Sequence, residues 1–208
     1  NTTTIGTYTF NNCTALQSVT LPESMTTLPE GTFYGCTALP TVTLPAGIES
    51  VGAYAFKGCN NIYSLTMPNA VETIGAQAFG NMSGLSFITL GSGTQSIASR
   101  AFTGVRNLVH TNFAGTLEQW MAIDFEDALA NPMSQSRNLA INGQVITDLT
   151  IPAGVTAVKR YTFFFDTLIT SITMNDVQTI ADSAFYRLTN LNTIYLTALP
   201  VAETTAFD

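Results

Sequence analysis

His110, Asp148 and Ser171 are the residue types of a nucleophilic relay, and this 208-residue chain has no other histidine to offer one. Such a relay needs the imidazole in the middle, bridging nucleophile and acid. On successive strands Asp148 would lie between the other two and leave His110 about two strand spacings from Ser171, and no Gly-x-Ser-x-Gly elbow is present. A single His also argues against zinc-assisted hydrolysis. Cys13, Cys36 and Cys59 are evenly spaced. A thiolate metal site calls for Cys-x-x-Cys pairs or histidines, so this spacing predicts stacked, buried thiols, and their odd number argues against a disulfide framework. Glu118, Asp124, Glu126 and Asp127 are four of the 14 carboxylates and would suit a hard cation such as calcium. The Asp-x-Asp-x-Asp-Gly loop is missing, and solvated charges at helix ends are the expected reading. No enzymatic activity, cofactor or metal is expected.

The elements that would position these groups follow from one regularity. Phe occurs at 10, 33, 56, 79 and 102, at a single unvarying interval, and returns at 163 and 185. A fixed period of about 23 residues means a solenoid whose units bury their apolar faces only against their neighbours. Each unit carries L-x-x-V/I-x-L, as in Leu16-Val19-Leu21, Leu39-Val42-Leu44 and Leu85-Ile88-Leu90. That alternation predicts a strand with apolar residues inward and Ser/Thr outward. About eight such strands would stack as a parallel sheet, ending at Pro22, Pro45, Pro68 and Pro152 because proline lacks the ladder N–H. The I/V-G-x-x-A-F segment packs the other side of the coil, with Gly6, Gly52 and Gly75 at tight or positive-φ corners. The phenylalanines should form a stacked spine. Met82, Val105 and Leu188 take the place of the cysteines in later units, and Asp166 breaks that habit. A short solenoid also lacks the cleft that paired carboxylates need for glycoside hydrolysis.

Composition narrows the partners. Only 10% of residues are charged against 46% hydrophobic, the opposite of a disordered chain. A net charge of −7 with seven basic residues argues against nucleic acid. Lys159-Arg160 is the only adjacent basic pair and is read as solvated surface. No stretch reaches the roughly 18–20 apolar residues that would span a bilayer. The chain starts and stops inside repeats, so a longer protein, with any leader removed before Asn1, is the expected source. Asn1-Thr2-Thr3, Asn12-Cys13-Thr14 and Asn81-Met82-Ser83 fit the glycosylation sequon but are read as chance or by-products of the repeat.

The recurring I-G-x-x-A-F-x-x-C-x-x-L-x-x-I-x-L-P pattern resembles the BspA-like leucine-rich repeats of bacterial cell-surface proteins. The resemblance spans residues 1–208 as a single array, apart from one insertion. It implies a leucine-rich repeat solenoid, a secreted or surface location, and a role in adhesion or other protein contacts without catalysis.

The insertion falls at 114–145. Strand centres Val19, Val42, Leu65, Ile88 and Thr111 keep the period, and the next, Leu149, comes late by more than half a repeat. Thr116-Leu117-Glu118-Gln119 has capping-box form and predicts a short helix. Leu117, Trp120, Met121 and Phe125 would share one face over the core, with Trp120 read as a core plug and, as the alternative, a sugar platform that binds a partner. Outward rows of the sheet are mostly Ser and Thr, which suits an exposed β-surface. Phe87, His110 and Asp148 interrupt one row and, on consecutive strands, would form a contact patch. The expected function is recognition of a protein, or secondarily a glycan, through this face. The alternative is a structural spacer carrying a binding or anchoring domain elsewhere.

Overall fold

The computed structural model describes residues 4–208. The chain winds as a succession of short coils, each with a front segment, a turn, a two-residue rear strand and a tight turn carrying the spine phenylalanine. Front strands Ser64–Thr66, Phe87–Leu90, His110–Phe113 and Leu139–Ile141 pair in parallel. Rear strands Thr27–Leu28, Ser50–Val51, Thr73–Ile74, Ser96–Ile97 and Asp124–Phe125 form a second parallel sheet. Both sheets then stop. A separate front sheet of Asp148–Thr150, Ser171–Met174 and Thr193–Leu196 resumes the coil, backed by Ala157–Val158, Thr179–Ile180 and Val201–Ala202.

The spine is present as expected. Ring centroids of Phe10, Phe33, Phe56, Phe79 and Phe102 follow one another at 5.4, 5.5, 6.0 and 5.0 Å. The stack restarts at Phe163 and Phe185, 5.5 Å apart, and continues to Phe207 at 5.0 Å. Backbone N–H groups beside it reach the next coil's carbonyls, as in Phe33 to Ala55 and Phe56 to Ala78, so the turns are laddered like strands.

Several expectations are corrected. The front sheet is not one run of eight strands. The segments around Val19 and Val42 turn Leu21, Leu39 and Leu44 inward but form no strand ladder. Segment 114–145 is not a plain insertion but most of a divergent coil. Asp124–Phe125 is its rear strand, and Phe102 N–H donates to Leu129 as Phe79 N–H donates to Ala101. Ala130 therefore stands where the spine wants Phe, and buried Met133 stands where it wants Cys. Leu139–Ile141 is the coil's front strand, and a turn at Asn142 and Gly143, both at positive φ, folds Gln144–Val145 back on it.

Gly6, Gly52 and Gly75 are not left-handed either. The latter two are needed because neighbouring coils come too close for a side chain: a Cβ would lie 2.5 Å from Glu30 N at Gly52 and 2.4 Å from Ala53 N at Gly75. On the spine turns the left-handed residues sit two places before and two places after the phenylalanine. Tyr8, Gly31, Tyr54, Gln77, Arg100, Tyr161 and Ser183 hold the first place, and Asn12, Gly35, Gly58, Asn81 and Gly104 the second.

Burial divides the cysteines. Cys36 and Cys59 are buried, and each donates its thiol at 3.0 Å to the spine carbonyl of the preceding coil. Burial pushes the Cys59 thiol up to about 12 and raises that of Cys36. Cys13, on the first coil, is exposed, against the expectation of three buried thiols. Native protein should therefore react with a thiol reagent at Cys13 alone, with Cys36 and Cys59 following only on unfolding. Three fast thiols would contradict this packing.

Candidate functional site

Phe87 and His110 hold equivalent places on paired strands, and their rings stack with centroids 4.8 Å apart and planes 18° apart. Tyr63, one residue before the preceding front strand, packs against Phe87 at 5.2 Å. His110 is exposed, Phe87 half-buried, and Tyr63 59% exposed, so this row of three rings is open to solvent. Around it the outward residues are Ser64, Thr66 and Thr89, which gives a flat hydroxyl surface with one aromatic ridge. Val109, in the place on its coil that Tyr63 holds on its own, is 48% exposed.

Asp148 does not join them. Leu139–Ile141 takes the place beside His110's strand, and Asp148 opens the second front sheet. There its carboxylate accepts hydrogen bonds from the Ser171 hydroxyl at 2.6 Å and the Thr147 hydroxyl at 3.2 Å. Asp148 and Ser171 are thus a bonded pair, with the chain's histidine on another sheet. Trp120 is also removed from the candidate surface. It is fully buried on the capping-box helix α1 (Leu117–Ala122), packs against Phe113 and Phe125, and donates Nε1–H to the Thr162 carbonyl at 2.9 Å. Its bulk fills the core of the one coil whose spine residue, Ala130, carries no ring.

The carboxylates of this coil do not converge on a cation. Glu126 accepts from Ser99 N–H at 2.7 Å, and Asp124 pairs with Lys159 at 2.6 Å. Asp127 accepts from the Ser99 hydroxyl and from the N–H groups of Arg100 and Ala130. Burial alone would raise its pKa, but these donors outweigh that and hold the carboxyl below its ordinary value. Among the described residues no three His, Cys, Asp or Glu side chains gather as metal ligands would.

Lys159 and Arg160 are more than solvated surface. Where the rear sheet breaks, they line a groove of about 380 Å³ together with Asp124 and Phe125. Lys159 Nζ bonds the Ala122 carbonyl and Arg160 Nη2 the Glu126 carbonyl, while Asn131 Nδ2 bonds the Tyr161 carbonyl. Side-chain donors thus replace the missing strand ladder across this joint. Of the sequons, Asn1-Thr2-Thr3 lies outside the described residues, while Asn12 and Asn81 occupy left-handed turn positions.

Tyr63 is the site residue that alternation missed, because it precedes the strand and belongs to neither outward row. Its sequence signal was an aromatic where neighbouring coils place Ser86 and Val109.

Comparison with solved structures finds similarity in fold to bacterial proteins. The pneumococcal vaccine antigen PcpA aligns over 86% of this chain and 50% of its own, at 16% identity and a TM-score of 0.51. A leucine-rich repeat protein from Bacteroides ovatus aligns over 95% of this chain and 59% of its own, at 20% identity and a TM-score of 0.49. A leucine-rich cell surface protein from Faecalibacterium prausnitzii aligns over 93% and 63%, at 23% identity and a TM-score of 0.43. The chain therefore spans about half to two thirds of these proteins, and at such identities the likeness concerns the fold alone. No curated protein matches the chain. Among the described residues no helix is long and apolar enough to cross a membrane. The model of the BspA type leucine-rich repeat region, in six copies, matches residues 3–130 and 123–208. With the period, the spine and the parallel coil all in agreement, the chain belongs to the BspA-type leucine-rich repeat family.

Proposed function

We propose that this chain is a non-catalytic recognition module, displayed at a cell surface or secreted, that binds a protein partner through its first front sheet. The observation that carries the reading is the Tyr63–Phe87–His110 ridge, open to solvent on a face otherwise rich in Ser and Thr. Aromatic side chains at the centre of a flat patch are what protein interfaces use as anchors, since they bury much area at little rotamer cost. The stack fixes Phe87 and His110 against one another before a partner arrives, which lowers the ordering cost of binding.

Direct binding to a panel of matrix proteins and glycans tests this, with the Phe87→Ala/His110→Ala double variant alongside. Both residues lie on the outer face, so the variant is expected to keep its fold. The expected result is saturable binding to a protein that weakens roughly thirtyfold in the double variant, the loss of about 2 kcal/mol typical of an interface anchor. Binding unaffected by the substitutions would remove this face from the reading, and binding to nothing would favour a spacer.

A further inference from the structure

We infer that the cluster of Tyr161, Phe164, Phe165 and Tyr186 with Arg137, Arg160 and Arg187 is a second binding site, and that its ligand is an acidic polysaccharide. The cluster is built on the spine turns of Phe163 and Phe185, with Arg137 joining it from the divergent coil. Phe164 stacks on Tyr186 with centroids 5.0 Å and planes 8° apart, and Phe165 and Tyr161 pack edge-on against this pair. The guanidinium of Arg137 lies 5.7 Å from the Phe165 ring centre, and that of Arg187 lies 5.4 Å from both Phe165 and Tyr186. Arg160 covers Tyr161 at 5.5 Å. The rings are half-buried and the three arginines exposed.

Two independent features mark this patch as more than surface variation. The first is charge. Three of the seven basic residues of a chain with net charge −7 converge here, and among the described residues none of them pairs with a carboxylate, since the one ion pair is Lys159 with Asp124. Arg160 donates from one amino group to the Glu126 carbonyl, while Arg137 and Arg187, laid on rings, keep a planar edge for a bidentate oxyanion.

The second is backbone. The position two places after the spine phenylalanine is left-handed from Phe10 through Phe185, and the first five coils fill it with Asn12, Gly35, Gly58, Asn81 and Gly104. The coils of Phe163 and Phe185 fill it with Phe165 at φ 66° and Arg187 at φ 56°. Left-handed backbone is not itself the mark, since Tyr8, Tyr54 and Arg100 adopt it two places before the spine residue; what sets these two coils apart is that the second place takes only Asn or Gly in the other phenylalanine coils.

The ligand follows from this chemistry. The ring faces are taken by one another and by the guanidinium groups, so the half-buried rings and the Tyr161 and Tyr186 hydroxyls offer the mixed apolar and hydroxyl surface that suits the rim of a pyranose ring, and the arginines suit the carboxylates or sulfates those rings carry. A nucleic acid is the competing polyanion, and the oligonucleotide arm of the test separates it. An acidic peptide would reach the same arginines but bring no sugar ring to the aromatic surface, and poly-glutamate is the arm of the test that separates the two.

The test is interferometry of the full chain against polygalacturonate, chondroitin sulfate, neutral dextran, poly-glutamate and a single-stranded oligonucleotide, at low and high salt. Saturable, salt-weakened binding to one or both acidic polysaccharides is expected, the two arms showing whether carboxylate suffices or sulfate is required, with none to dextran. Phe165→Gly/Arg187→Gly restores a residue type the earlier coils use. It should keep or raise the thermal midpoint and weaken binding by about tenfold or more. Phe87→Ala/His110→Ala should leave this binding unchanged, which separates the site from the front-sheet ridge. Failure to bind either acidic polysaccharide, binding that survives in the glycine variant, or equal affinity for poly-glutamate or the oligonucleotide would overturn the inference.

Discussion

Phe56→Ala is expected to lower stability by about 3–5 kcal/mol, the cost of truncating a fully buried aromatic. Phe56 has no exposed surface and is stacked on both sides, by Phe33 at 5.5 Å and Phe79 at 6.0 Å, so the substitution empties a ring's volume from the middle of the spine. Collapse cannot heal the gap. Backbone bonds from Phe33 N–H to Ala55 and from Phe56 N–H to Ala78 hold both adjoining coils at their separation. In a solenoid each unit is stabilised by its neighbours alone, so the defect weakens two interfaces at once. Thermal unfolding monitored by circular dichroism should show a midpoint lower by roughly 10 °C, on the scale expected for a chain of this length. Hydrogen exchange should show the loss concentrated in the coils flanking residue 56. An unchanged midpoint would mean that the spine does not carry the core.

The spine was legible in the sequence because its spacing admits one structure: side chains recurring at a fixed interval can meet only if each period makes one turn. The divergent coil was illegible for the same reason. Its spine residue is Ala130, and the missing bulk comes from Trp120, upstream on a helix, so the periodic signal vanishes where the packing does not. Met133, placed after Ala130 as Cys59 is after Phe56, was the surviving trace. Skipping this coil made His110 and Asp148 look like neighbours, when Leu139–Ile141 takes the place beside His110. The glycines carried a similar ambiguity. Gly52 and Gly75 mark close approach of backbones, whereas the left-handed corners tolerate Tyr54 and Gln77, so glycine alone did not say where the chain reverses. What a repeat conveys well is the mean coil. The candidate sites, the Tyr63–Phe87–His110 ridge and the arginine-aromatic cluster, are departures from that mean.

The departure at Asp166 carries the other large expected effect, a loss of stability as pH rises. Asp166 occupies the cysteine place of its coil, fully buried, with Leu139 N–H on one oxygen at 3.1 Å and Leu168 N–H on the other at 3.0 Å. Burial pushes its pKa from 3.8 up to about 7, even though backbone N–H groups of Leu168, Leu139 and Ile169 pull it down, because no cation is bonded to the carboxyl. The folded chain therefore binds a proton that the unfolded chain releases. Its contribution to stability is complete below about pH 4, declines as pH rises, and is lost by the time pH passes 7. A shift of this size corresponds to about 4 kcal/mol over that window. Urea unfolding at pH 4, 6 and 8 should give a falling midpoint, and Asp166→Asn, which cannot ionise, should flatten the fall even if it is less stable throughout. A midpoint that rises from pH 4 to 8 in the parent chain would show that the three N–H donors win and the carboxylate is charged in the fold. The position of the group makes the direction matter. Asp166 ties the divergent coil to the following one, at the joint where strand ladders on both faces give way to side-chain bonds from Trp120, Asn131, Lys159 and Arg160. Ionising a buried carboxyl there should loosen the boundary between the two halves before it touches the spine of either, and exchange at Leu139 and Leu168 should respond to pH ahead of exchange at Phe56.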